Sequence, residues 1–168
     1  MKGVKLFLTD VDGCLTDGGM YYTADGDVMK RFCVYDGMGI VLLRQAGIPC
    51  GILTSEQSPI VKARAEKLHL DYLYMGVGSR DRQGSLTKLG AAQKICNKLG
   101  IGMEEVCYVG DDVNDVELLE AVGYPCCPPN ARQEVLAVKG IKVLKTRGGE
   151  GAIREICDEI LSTKEKRG

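Results

Sequence analysis

Asp10 and Asp12 stand one residue apart at the end of an apolar run, residues 4–8, and Gly13 follows at once. Two carboxylates this close repel each other, so they point either to a hard metal such as Mg2+ between them or to a shared proton. A plain turn is the competing reading, because Asp and Gly favour turns. The same device occurs again where the apolar run 106–109 ends in Gly110-Asp111-Asp112. Two further places could meet an anion. Thr54-Ser55-Glu56 closes the run 48–53 ahead of a helical pattern, where hydroxyls either ligate phosphate or cap the helix. Lys88 opens another helical pattern, 89–99, and a first-turn lysine opposes the helix dipole unless an anion is there to meet it.

The elements that carry these residues alternate. Apart from Lys5, residues 4–8 read as a strand buried on both faces, hence central in a parallel sheet. Further strands are expected over 48–53, 71–74, 106–109, 124–127 and 141–144. Helices are expected over 37–46, 58–69, 89–99, 116–121, from about 131, and 151–161. This order predicts one α/β domain with a doubly wound, Rossmann-like parallel sheet. Residues 20–23 and 28–34 flank Ala24-Asp25-Gly26-Asp27, which reads as a β-hairpin inserted after the first strand, a flap over the site or an oligomer contact. A long polar loop is expected over 78–87, and residues 162–168 read as a frayed tail.

Composition excludes several functions. With 22 Lys and Arg against 23 Asp and Glu, and no basic block beyond a short tail, there is no electrostatic footprint for nucleic acid. No apolar stretch has transmembrane length and no signal-peptide pattern opens the chain, so no membrane partner and a cytoplasmic location are expected. The eight cysteines form no CxxC pair and His69 is the single histidine, which argues against a zinc site or a histidine-dependent triad and for free structural thiols. Neither GxxxxGK[ST] nor GxGxxG is present. What remains is one rim where strand ends gather Asp10, Asp12, Thr54, Lys88 and Asp111 or Asp112. Carboxylates for Mg2+, with a lysine and hydroxyl for phosphate, are what phosphoryl transfer requires, and an aspartate can be the nucleophile.

The segments DVDGCLTDG, LTS, a lone downstream lysine and GDDVND resemble the four motifs of the haloacid dehalogenase superfamily of phosphatases. The early hairpin, the lack of an inserted cap domain and RGGEGAIRE near the end are similar to its uncapped tetrameric branch, which includes 3-deoxy-octulosonate 8-phosphate and nonulosonate 9-phosphate phosphatases. The resemblance implies Asp10 as nucleophile and Asp12 as general acid/base. Mg2+ would be held by the Asp10 carboxylate, the Asp12 carbonyl and Asp111. Thr54, with Ser55, and Lys88 would hold the phosphoryl group, and Asp112 would orient the metal's water or the substrate. Residues 33–37, including Asp36 and Gly37, would line the pocket, and the loop 147–151, with Arg147, would close a neighbouring subunit's site. Glu56 is acidic where octulosonate enzymes typically carry a basic residue. With Lys67 as its candidate partner and Arg64 on the same helix, it makes a nonulosonate 9-phosphate the expected sugar-acid phosphate, the eight-carbon 8-phosphate being the alternative. A receiver-type signalling domain and a non-catalytic scaffold are the readings of another class.

Overall fold

A computed structural model describes residues 1, 3–78 and 86–165 of the chain. Six parallel strands form one sheet in the order β5-β4-β1-β6-β7-β8. These are β1 (Leu6–Thr9), β4 (Cys50–Thr54), β5 (Tyr72–Met75), β6 (Val106–Val109), β7 (Tyr124–Cys127) and β8 (Lys142–Val143). The chain runs outward from β1 through β4 to β5, then crosses back to β6 on the other side of β1. The order therefore reverses between β1 and β6, and that crevice is where open α/β sheets place ligands.

Successive strand residues face opposite layers, and the two cores show it. Phe7, Ile52, Cys107 and Val109 pack with Ile40 and Leu43 of α1 (Val34–Gln45), Val61 of α2 (Pro59–Lys67) and Ile153 and Ile156 of α6 (Ala152–Glu165). Leu6, Leu8, Val106 and Tyr108 pack on the other face. Their partners include Ile95 of α3 (Lys88–Leu99), Leu118 of α4 (Val116–Ala121) and Val135 of α5 (Gln133–Leu136). Each large apolar side chain so buried contributes roughly 1.5–3 kcal/mol, and this drive seats the sheet between two helical layers. The cysteines serve the same cores: seven of the eight are buried, and all are free thiols.

The hairpin is present but shorter than expected, β2 (Tyr21–Thr23) pairing with β3 (Gly26–Met29). Gly26 belongs to the strand, its φ of 116° being accessible to glycine without strain. Val34 opens α1 instead of ending a strand, so that helix begins three residues earlier than the apolar pattern indicated. The C-terminal helix runs on to Glu165, where a frayed tail was expected from 162. The Thr163 hydroxyl donates to the Met1 carbonyl at 3.1 Å and ties the chain's end to its start. Most of the loop 78–87 lies outside the described residues. Among the described residues, no helix is long and apolar enough to cross a membrane.

Asp36 is where the fold departs most from expectation. Its side chain is 1% exposed and points into the α1–α6 interface, where Oδ1 accepts from the Arg154 amide at 2.8 Å in the first turn of α6. Burial pushes its pKa up to about 6 against those helix amides, which favour the charged form. A carboxylate on the dipole of α6 stabilises that helix, so this residue caps structure and does not face the cleft. Asp36→Ala is expected to lower unfolding stability by about 1–2 kcal/mol in urea titrations while kcat/KM stays at the wild-type level; a raised KM with unchanged stability would restore the pocket role.

Candidate active site

Asp10 follows β1 with the parity of Leu6 and Leu8, toward the layer that holds α3. Its Oδ1 accepts from the Val11 amide at 2.7 Å, and its Oδ2 lies 2.9 Å from the Lys88 ammonium. Lys88 opens α3 behind the N-cap Thr87, with a side chain only 1% exposed, and it reaches Asp115 Oδ1 at 2.6 Å. The anion that this first-turn lysine meets is thus a pair of the protein's own carboxylates, which hold its pKa up against burial.

Asp115 is fully buried and was not among the residues expected to act. Its Oδ1 also accepts from the Tyr108 hydroxyl. Its Oδ2 takes the amides of Asp111 at 2.9 Å and Asp112 at 3.2 Å. The loop after β6 is folded around this carboxylate, and a Cβ on Gly110 would stand 2.5 Å from that of Asp115. One sequence signal could have found it: Asp112 and Asp115 have the spacing of a capping box at a helix start.

Asp10, Asp111 and Asp115 each bring an oxygen within 4.8 Å of the others. Asp111 is pushed up to about 8, first by burial and then by the charges of Asp10 and Asp115; burial likewise raises Asp10. One lysine does not balance three carboxylates. Gly13 makes room for them, since a Cβ there would come 2.0 Å from Asp111 Oδ2. An all-oxygen donor set of this charge fits a hard divalent cation.

The Asp12 carboxylate stands apart from that group. Its Oδ1 accepts from Lys30 Nζ at 2.8 Å and from the Thr16 hydroxyl at 3.3 Å. Burial alone would lower the Lys30 pKa; the hydrogen bond to Asp12 and the charge of Asp27 raise it instead. Lys30 was not read as functional, because nothing in an exposed-looking hairpin marks its last lysine as buried.

Across the cleft, buried Thr54 ends β4 and its hydroxyl accepts from the Glu56 amide at 3.2 Å. Ser55 donates to the Val77 carbonyl at 3.0 Å and accepts from Asn114 at 2.8 Å, which joins the β4 rim to the β6 loop. Together Asp10, Asp12, Thr54, Ser55, Glu56, Asp111, Asp112 and Asn114 line a cleft of about 210 Å³. A larger apolar cavity of about 370 Å³, lined by Val4, Ile48 and Ile160 among others, lies away from all of these carboxylates.

Other expected residues lie elsewhere. The Arg64 guanidinium sits 5.3 Å from the Phe32 ring centroid and donates to the Cys33 carbonyl at 3.4 Å, against Gly37. Lys67 is exposed in the last turn of α2, and among the described residues no ion pair joins it to Glu56. A nine-residue helix separates the two by roughly 13 Å of axial rise. Arg147 is exposed, but Gly148 and Gly149 pack on their own chain's loop after β1. There the Gly149 amide donates to the Cys14 carbonyl at 3.1 Å, and Asn130 bridges the Gly148 amide to the Gly13 carbonyl at 2.9 and 3.1 Å.

Residues 34–123 match the model of the haloacid dehalogenase-like hydrolases. The chain belongs to that family. The matched span holds Thr54, Lys88, Asp111 and Asp115, while Asp10 and Asp12 fall before it. Longer similarities include them. The 3-deoxy-D-manno-octulosonate 8-phosphate phosphatase of Haemophilus influenzae is 34% identical over 99% of this chain and 87% of its own length. A cobalt-bound structure of the Haemophilus influenzae phosphatase superposes with a TM-score of 0.88 at 34% identity, covering 98% of this chain and 91% of the other. The Moraxella catarrhalis phosphatase, solved in complex with magnesium, phosphate and a KDO molecule, gives a TM-score of 0.87 at 35% identity over 96% and 88%.

For this hydrolase the raised carboxyls set a pH dependence. Asp10 and Asp111 are protonated more readily folded than unfolded, so their contribution to stability is present below the ordinary carboxylate range and is lost as pH rises through about 8. A cation must displace those protons. The rise in Tm on adding Mg2+ to metal-stripped protein is therefore expected to be larger at about pH 8.5 than at about pH 6, and an equal or reversed shift would exclude these carboxyls as the ligands.

Proposed function

We propose that this hydrolase cleaves the phosphate monoester of a 2-keto-3-deoxy sugar acid, with Mg2+, through an aspartyl-phosphate on Asp10. The observation that carries the reading is the Asp10 carboxylate itself. It lies in an open cleft, tied to Lys88 at 2.9 Å, grouped with Asp111 and Asp115, and two residues from a second carboxylate free of that group. Mg2+ bound there neutralises phosphoryl oxygens and lets an anionic nucleophile approach an anionic ester. Asp10 attacks phosphorus as the bond to the sugar oxygen breaks, and Asp12 gives that oxygen a proton. Water then attacks phosphorus, Asp12 takes its proton, and the Asp10 carboxylate is released. Lys88 and the Thr54 hydroxyl hold the phosphoryl oxygens through both steps.

The named relatives favour the eight-carbon substrate, 3-deoxy-octulosonate 8-phosphate, over the nine-carbon ester that the sequence first suggested. One observation favours the longer sugar. Glu56 lines the cleft, exposed and with no cation in ion-pair range among the described residues, so it can accept from hydroxyls but repels a substrate carboxylate. Comparing kcat/KM for the two esters decides between them. Wild type is expected to prefer the eight-carbon ester, Asp10→Asn to abolish both activities, and Glu56→Arg to raise the eight-carbon kcat/KM; a clear wild-type preference for the nine-carbon ester would reverse the assignment.

The same reading includes a homotetramer. Tyr21, Tyr22, Val28 and Met29 on the hairpin, with Val34 and Tyr35 at the start of α1, are each at least 45% exposed. So many exposed large apolar side chains on one segment offer a surface for association, and an uncapped cleft needs a neighbour to exclude water. Because Gly148 and Gly149 serve their own chain, Arg147 is the part of that loop left to reach an adjoining subunit's substrate. Sedimentation is expected to show tetramers, and Tyr22→Lys with Val28→Lys to dissociate them with loss of activity; a fully active monomer would refute the shared site.

A further inference from the structure

We propose that Lys30, at the return end of the hairpin, is the positioning residue for the acid/base step: it fixes one oxygen of Asp12 so that the other faces the reacting ester. This rests on Asp12 being the acid/base. A lysine with a side chain 1% exposed is costly to bury, and this one is placed between two carboxylates, Asp12 Oδ1 at 2.8 Å and Asp27 Oδ2 at 3.5 Å. The backbone around it is held at both sides. Thr16 and Phe32 form an isolated antiparallel bridge across the base of the hairpin, and the Thr16 hydroxyl is the second donor to Asp12 Oδ1, at 3.3 Å.

With Lys30 and Thr16 on Oδ1, that oxygen is occupied. Among the described residues no hydrogen-bond donor reaches Oδ2, and Asp12 lines the cleft. A carboxyl that transfers a proton needs one oxygen to carry it and a fixed orientation toward the acceptor. Lys30 supplies the orientation. In the forward step the proton on Asp12 Oδ2 moves to the sugar oxygen as the phosphorus–oxygen bond breaks, and in the return step Oδ2 takes a proton from the attacking water. Lys30 donates its hydrogen bond throughout and gives up no proton. Its burial keeps it from touching substrate, so it acts only through Asp12.

The role separates esters by leaving group. An alkoxide leaves only with a proton, whereas p-nitrophenolate leaves without one, and kcat/KM reports the steps up to that departure. Lys30→Met is therefore expected to lower kcat/KM for 3-deoxy-octulosonate 8-phosphate by about 10²-fold and for p-nitrophenyl phosphate by less than about threefold. Ethyl phosphate is run beside them, so that a wrong choice of sugar does not decide the result. Lys30→Arg, which can donate to the same oxygen, is expected to regain most of the alkyl-ester activity. Should Lys30→Met not fold by circular dichroism, Lys30→Gln gives the same comparison. Asp12→Asn is the reference: if it lowers both kinds of ester equally, the acid/base reading of Asp12 is wrong. If Asp12→Asn shows the leaving-group dependence and the Lys30 variants lower both esters equally or neither, the positioning role is overturned.

Discussion

The ammonium of Lys88, buried between Asp10 and Asp115, is the interaction on which the remaining architecture depends. Removing either kind of partner from such a triad leaves a charge in the interior with no compensation, at a cost of about 3–5 kcal/mol. The three residues come from the end of β1, the start of α3 and the loop after β6, so the triad can form only if those elements meet at one point. The parallel sheet provides that point where its strand order turns back on itself. Asp115 extends the constraint further, because its other oxygen accepts from the backbone of the loop that presents Asp111. A substitution at Lys88 would therefore be felt as a shift of Asp10, a change in metal affinity and a loss of stability together, not as loss of one phosphate contact.

A second constraint is backbone crowding. The loop after β1 curls tightly enough to bring Asp12 back toward the cleft, and it is braced from behind by a segment more than 130 positions later in the sequence. A Cβ on Gly148 would lie 1.8 Å from the Gly13 carbonyl, and one on Gly149 would lie 2.4 Å from the Asp17 amide. Gly13 and Gly149 also have positive φ, at 83° and 71°. The first two glycines of RGGEG are thus explained by close approach within one chain, before any contribution to a neighbour is considered.

Much of this was legible in the residues, for definite reasons. β1, β4 and β6 are buried on both faces, so their apolar runs are nearly unbroken and their carboxyl ends could be located to within one residue. Asp10, Thr54, Lys88 and Asp111 followed, since each sits at such an end or at a helix start. What escaped detection depends on tertiary burial. Asp115 looks like any aspartate in a polar loop until the fold closes over it. Lys30 is one of two adjacent basic residues leaving a hairpin, and only the return of the chain past Asp12 distinguishes it from Arg31, which pairs with exposed Asp17 instead. Asp36 was placed in the pocket by resemblance alone, whereas its partner is the start of a helix 118 residues away. The Glu56 and Lys67 pair failed on distance: separation along a helix is fixed by its rise, and the two ends of α2 do not meet.

The hairpin joins two requirements that are usually met by separate parts of an enzyme. Its outer surface is apolar and exposed, with Tyr22 at 68% and Met29 at 55%, while the residue after Met29 is buried and bonded to Asp12. A two-stranded ribbon with no sheet beside it is marginal in isolation. Its order here depends on the Thr16 to Phe32 bridge and on the Lys30 ion pairs. Burying that face against another subunit would add to the stability of the ribbon and, through Lys30, narrow the range of orientations open to the Asp12 carboxylate. In the proposed assembly, the element that offers its surface to a neighbour is the same one that holds Lys30 against Asp12, so ordering the ribbon from outside and orienting that carboxylate would be one event.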